Sequence, residues 1–138
     1  MPSFEIIAQC FAEEVNEMRT MGMDHLGLSV FDLNETTDFL TSVLGWEEVA
    51  RDETYPRNSV TDGTVRLTLW QVDRSKEVVQ FNRRSNVGLH HLALRVESEA
   101  KLNEFAEKIP QWPGVNIEFM PELVGKGPRK HMIFSEPG

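Results

Sequence analysis

The sequence has one cysteine, Cys10, among 138 residues, so no intrachain disulfide is available and a reduced, cytoplasmic compartment is the default expectation. Positive charge is also scarce, with 14 Lys and Arg against 22 Asp and Glu and a formal net charge of −8. That balance argues against nucleic acid or an anionic membrane as partner, because both are held by clustered cations. The basic residues Lys126, Arg129 and Lys130 make too short a cluster to reverse it. No apolar run reaches the length of a membrane span, and the N-terminus lacks the basic start and apolar stretch of a signal peptide. Low-complexity segments are absent. With 40% hydrophobic residues, the chain is expected to form one domain, 1–138, able to bury a core.

What the sequence does contain is a repeat. His25-Leu-Gly-Leu-Ser-Val returns as His91-Leu-Ala-Leu-Arg-Val, and internal repetition sets an architecture before any local assignment does. The alternation reads as a half-buried strand in each copy. Leu26, Leu28 and Val30 share one face, as do Leu92, Leu94 and Val96, and the two histidines fall on the other. Imidazoles placed equivalently by a repeat can converge on one point, as a metal site between modules requires. His90 falls on the face opposite His91 and reads as structural or surface.

Each strand is followed by a predicted helix, Glu35 to Leu44 closed by Gly45 and Glu99 to Ile109 closed by Pro110. Short strands are expected at Glu47 to Arg51, Arg57 to Thr61 and Val65 to Val72, then at Val115 to Phe119 and Lys130 to Ser135. The pattern is βαβββ twice, with one strand missing from the second copy.

Three stretches together resemble the vicinal oxygen chelate superfamily, which includes glyoxalase I, fosfomycin-resistance proteins, methylmalonyl-CoA epimerase, extradiol dioxygenases and bleomycin-resistance proteins. They are Asp24-His25-Leu-Gly-Leu-Ser-Val-Phe-Asp-Leu with Asp38-Phe39-Leu40 and Val43-Leu44-Gly45-Trp46, then Gly88-Leu-His90-His91-Leu-Ala-Leu-Arg-Val, then Phe134-Ser-Glu136-Pro137-Gly138. The resemblance implies an α+β fold in which paired βαβββ modules form a cupped, mixed β-sheet around one divalent metal ion (Fe, Mn, Ni, Co or Zn), with His25 and His91 as ligands. Module one is expected at about 21–83 and module two at about 86–138.

In the family, a motif like Asp-Pro-Asp-Gly precedes a last strand carrying a ligand Glu, whereas here Glu136-Pro137-Gly138 falls inside that motif. Pro2 to Ile7 alternates as that strand should, and placed after Gly138 it brings Glu5 into register with the family's Glu. The expectation is a circular permutation, or an equivalent exchange between two chains, in which about 2–9 completes module two and a helix over about 10–20 leads back to the strand of His25. The alternative is an ordinary N-terminal extension on a truncated chain, with an open sheet edge filled by a partner.

The ligand set so implied is His25, His91 and Glu5, with open positions for water or substrate. Glu5 has a competing reading as an exposed strand carboxylate. Glyoxalases of the family carry a fourth ligand on the last strand of module one; here that strand offers Arg66, Thr68 and Trp70, which are candidates for substrate contact, Arg66 as a fork for an anionic oxygen or as a solvent-exposed side chain. Gln71 falls on the leucine face. His131 is either an acid–base group beside the metal or the polar start of a strand, and Trp46 and Trp112 are expected in cores or loops.

The implied activity is that of a metal-dependent lyase, isomerase or dioxygenase acting on a small oxygen-rich substrate chelated by the metal. The competing class is a non-catalytic small-molecule-binding protein of the bleomycin-resistance type, and the two histidines distinguish them, since those binders lack both. A homodimer is expected.

Overall fold

The computed structural model describes residues 20–138. The N-terminal strand at Pro2 to Ile7, the helix at 10–20 and Glu5 thus lie outside the described residues, except for position 20 itself.

Module one has the predicted βαβββ form. Strand β1 (Leu26–Val30) leads into helix α1 (Leu33–Ser42), followed by β2 (Glu47–Asp52), β3 (Arg57–Thr61) and β4 (Arg66–Gln71). The four strands form one mixed sheet in the order β1-β4-β3-β2, with β1 parallel to β4 and the other neighbours antiparallel. Helix α1 begins two residues before the expected Glu35 because Asp32 caps it, its Oδ1 accepting from the backbone N–H groups of Asn34 and Glu35 at 3.0 Å. Gln71 reaches across from β4, and its Oε1 accepts from Leu33 N at 3.1 Å, satisfying another free N–H of the first turn. Gln71 is therefore turned to the helix, as its parity indicated.

Leu67 and Leu69 on β4 and Val60 on β3 are almost fully buried beneath Phe39, Leu40 and Leu33 of α1. The opposite face of the sheet carries Gly27 and Ser29 from β1, Thr68 and Trp70 from β4, and Arg57 and Ser59 from β3, paired in register as Gly27 with Thr68, Ser59 with Thr68 and Arg57 with Trp70. This second face, polar and partly open, is the one that the expected cup would turn inward.

Module two is represented by helix α2 (Glu99–Lys108), a short 3-10 turn (Ile109–Gln111) and the antiparallel pair β5 (Asn116–Leu123) and β6 (Lys130–Ser135). Ser98 caps α2 through its hydroxyl, which accepts from Lys101 N at 3.2 Å. Residues 91–96, expected as a strand, form no ladder among the described residues. Leu92 still packs against the shared core, whereas Leu94, expected on the same inward face, is exposed. The hydrogen bonds of a strand come from a neighbour, and β1 takes its own from β4, the last strand of its module. The counterpart of β4 in module two is not among the described residues.

The modules share one core. The ring of Phe39 meets Trp112 at 6.3 Å and Phe134 at 5.7 Å, both edge-on, and Ile109 is as deeply buried as Phe39. Trp46, also expected in a core, is buried there. At the start of α1, Glu136 Oε2 accepts from Thr36 Oγ1 and from Gly138 N, each at 2.8 Å, and Gly138 O accepts from Phe31 N at 3.0 Å. Among the described residues no helix is long and apolar enough to cross a membrane.

Candidate metal centre

His25 stands at the start of β1, one residue before the Leu26–Leu67 pair, and strand alternation puts it on the cup face with Gly27 and Ser29. Its Nδ1 lies 2.6 Å from Oδ1 of Asp24, the residue just before it. The hydrogen bond from His25, with the adjacent imidazole's charge adding to it, holds the Asp24 carboxyl below the usual aspartate range. A carboxylate can only accept, so Nδ1 carries a proton in this pair, and when the ring is neutral Nε2 is its lone-pair donor.

His91 repeats the arrangement with a different partner. Its Nδ1 lies 2.8 Å from Nδ1 of His90, again the preceding residue, and the two rings meet edge-on at 5.1 Å. The expectation that His90 would face away from His91 assumed a strand; in the absence of a ladder the two neighbouring rings come together. One of the two Nδ1 atoms carries the proton and the other accepts it; where His91 Nδ1 donates to His90, Nε2 of the neutral His91 ring is left as its lone-pair donor. In both copies of the repeat, then, the side chain before the histidine engages Nδ1 and not Nε2. Metal-bound imidazoles are held in this way, by a hydrogen bond on the nitrogen that does not touch the metal. The donor chemistry of His25, and of His91 in the tautomer that donates from Nδ1 to His90, fits a divalent ion.

The described residues do not themselves gather a complete ligand set, for no group of three or more His, Cys, Asp or Glu side chains converges among them. Glu5, the expected third ligand, lies outside them.

The remaining candidates take distinct places. Thr68 lies between Gly27 and Ser59 on the cup face and accepts from Trp70 Nε1 at 3.2 Å. Arg66 is exposed at the start of β4, on the same strip, close enough for its charge to help hold down the Asp24 carboxyl. Trp70 closes the other end of that strip. His131 is half-buried on β6, its ring tilted against Phe119 at 4.9 Å and its Nε2 3.9 Å from Glu122 Oε1. That pairing accounts for the ring through module two's own hairpin, and no recorded contact joins it to His25 or His91 among the described residues.

Sequence reading missed Asp24 and His90 as partners of the histidines, although an Asp-His and a His-His doublet at equivalent places of a repeat was the available signal. It also missed Arg57, whose guanidinium lies over the Trp70 ring at 5.2 Å, and Tyr55, edge-on to the same ring at 5.3 Å. A shallow groove lined by Glu35, Asp38, Trp112, Pro113 and Pro137 contains none of the candidate residues.

The family model of the Glyoxalase/Bleomycin resistance protein/Dioxygenase superfamily matches residues 22–138. No curated protein matches the chain. Among solved structures, the glyoxylase/bleomycin resistance protein/dioxygenase domain from Frankia sp. EAN1pec is similar with a TM-score of 0.70 at 23% identity, over 86% of this chain and 91% of that one. The fosfomycin resistance protein FosX from Listeria monocytogenes gives 0.63 at 23% identity over 86% of both chains. A variant of the same FosX, complexed with Mn(II) and 1S,2S-dihydroxypropylphosphonic acid, gives 0.64 at 23% identity, covering 86% of this chain and 83% of that one. At these identities the likeness is one of fold.

Proposed function

Because this chain belongs to the Glyoxalase/Bleomycin resistance protein/Dioxygenase superfamily, we propose that it is a metal-dependent enzyme of the lyase, isomerase and dioxygenase group, acting on a small oxygen-rich substrate. The observation that carries this reading is the matched engagement of the two histidines, each with Nδ1 held by the side chain of the residue before it. His25 and His91 hold a divalent ion (Fe, Mn, Ni, Co or Zn) together with Glu5. A similar fold holds Mn(II) in the Listeria FosX complex.

In this reading the strand expected at Pro2 to Ile7, which bears Glu5, would pair with 91–96 as β4 pairs with β1, in a permuted connection or by exchange within a homodimer. The repeat supports this, since 91–96 forms no ladder among the described residues while its counterpart β1 forms a parallel one with β4.

A bound divalent ion supplies Lewis acidity, which stabilises an oxyanion as it forms and contributes several kcal/mol to lowering the barrier. The chain's own groups bind and orient the substrate. Thr68 accepts from the Trp70 indole, so its hydroxyl proton remains to be donated to a substrate oxygen. Arg66 offers a planar fork to an anionic oxygen next to His25. A proton-carrying role for His131 would require the substrate to reach β6, since its contacts lie within the β5–β6 hairpin.

The test is metal content. Protein purified without chelator retains close to one divalent ion per two-module cup, and His25→Ala and His91→Ala each lose it. Full retention by both variants refutes the assignment.

A further inference from the structure

Arg57 is held in one place on the cup face by contacts that leave its hydrogen-bonding edge free. Its guanidinium carbon lies 5.2 Å from the centre of the Trp70 ring, the residue it opposes in the β3–β4 ladder. Tyr55 closes the same ring edge-on at 5.3 Å. A guanidinium over a ring face is held there by its charge, and that contact does not use up its N–H donors. Among the described residues the one anionic neighbour is Asp52, whose Oδ2 is 3.8 Å away, beyond hydrogen-bond reach. The other oxygen of Asp52 is taken by Thr54, accepting from its N at 2.9 Å and its hydroxyl at 2.7 Å.

The indole links this corner to the rest of the face. Trp70 Nε1 donates to Thr68, and a Cβ on Gly27 would stand 3.3 Å from the Thr68 hydroxyl and 3.8 Å from Trp70 Nε1. Glycine at that position keeps the floor open between the two ends of the strip. Arg57 opposes Trp70, whereas His25 stands beside Arg66, four residues earlier on β4. At about 3.3 Å per residue the two ends are separated by roughly 13 Å.

We propose that Arg57, stacked on Trp70 and flanked by Tyr55, forms an oxyanion-binding subsite for a carboxylate or phosphate at the far end of an elongated substrate whose other end reaches His25. The assignment of that anion to the substrate rests on the metal-dependent reading above; the subsite itself requires no metal. In a chain of net charge −8, an anionic ligand is disfavoured at long range and must be captured by a local cation with free donors.

The experiment uses full-length, chelator-treated protein titrated with benzoate and phenyl phosphate, followed by tryptophan fluorescence, with benzyl alcohol as the neutral counterpart. Saturable binding of at least one anion, weakened roughly tenfold or more by Arg57→Gln and less by Arg57→Lys, is expected. Whichever of the two binds more tightly identifies the oxyanion. Equal affinity in the parent and Arg57→Gln, equal affinity for benzyl alcohol, or no saturable response overturns the proposal. Circular dichroism confirms that both variants fold, and if Arg57→Gln does not, Arg57→Lys decides alone, with unchanged affinity counting against the subsite. His25→Ala separates the two readings, since it removes metal while leaving anion affinity intact. Anion binding without metal binding in the parent refutes the metal centre alone.

Discussion

Asp24 and His25 are bonded to each other through their side chains, Oδ1 to Nδ1 at 2.6 Å, and so the first histidine of the repeat has an anionic partner where the second, His91, has the imidazole of His90. A carboxylate on Nδ1 makes Nε2 the better electron donor. Asp24→Asn keeps an acceptor oxygen and removes the charge, while Asp24→Ala removes both. Metal affinity, measured by competition with a chromophoric chelator, is expected to fall in both, by about 10- to 100-fold in Asp24→Ala and by less in Asp24→Asn. Unchanged affinity in Asp24→Ala shows that the pair does not serve the metal.

Glu5 is tested by separating charge from shape. Glu5→Gln is expected to weaken metal binding with little change in stability. Deletion of residues 1–8 is expected to do both, because the strand role removes the burial of Phe4 and Ile6 at roughly 1.5–3 kcal/mol each and unpairs a sheet edge. Metal titration and urea unfolding read the two effects independently. A Glu5→Gln variant that binds metal as tightly as its parent removes Glu5 from the ligand set.

Phe39 is about 1% exposed and lies between Trp112 and Phe134. Phe39→Ala is expected to cost about 3–5 kcal/mol in denaturant unfolding, as large core truncations do. A loss under 1 kcal/mol shows that the modules do not depend on this contact.

Asp32→Ala removes the cap of α1 and is expected to cost roughly 0.5–2 kcal/mol. The backbone N–H of Glu35, which outweighs the opposing effect of burial, holds the Asp32 carboxyl below the usual aspartate range, with smaller help from the N–H of Asn34 and from Arg74. A lowered folded-state value means that the contribution is complete above the ordinary aspartate range and is lost as pH falls through the folded value. The stability difference between parent and Asp32→Ala is therefore expected to be constant near neutrality and to shrink in acid below about pH 4. A difference that grows on acidification contradicts this account.

The strands at Arg57–Thr61 and Lys130–Ser135 were legible to the residue, because alternating side chains bounded by turn residues define a strand locally. Helix α1 was displaced by two residues because its cap and the Gln71 brace lie in side chains, one of them 38 positions from its target. Residues 91–96 carry the alternation of a strand, yet a ladder depends on a neighbour that alternation cannot name. Of the site, the repeat disclosed the histidines. It did not disclose what fixes their rings, since hydropathy patterns ignore side-chain hydrogen bonds between adjacent residues. Arg57 and Tyr55 escaped notice because their significance lies in a cross-strand stack on Trp70.

Thr36 and Glu136, bonded across 100 positions of sequence, bear on the order in which the molecule assembles. The first helix cannot acquire its full set of neighbours until Ile109, Trp112 and Phe134 have arrived from the far half of the chain. The two similar halves are therefore expected to fold as one unit. Closing such distant contacts incurs loop entropy before any burial compensates, which slows folding. Damage near residue 136 is accordingly felt as instability at residue 36.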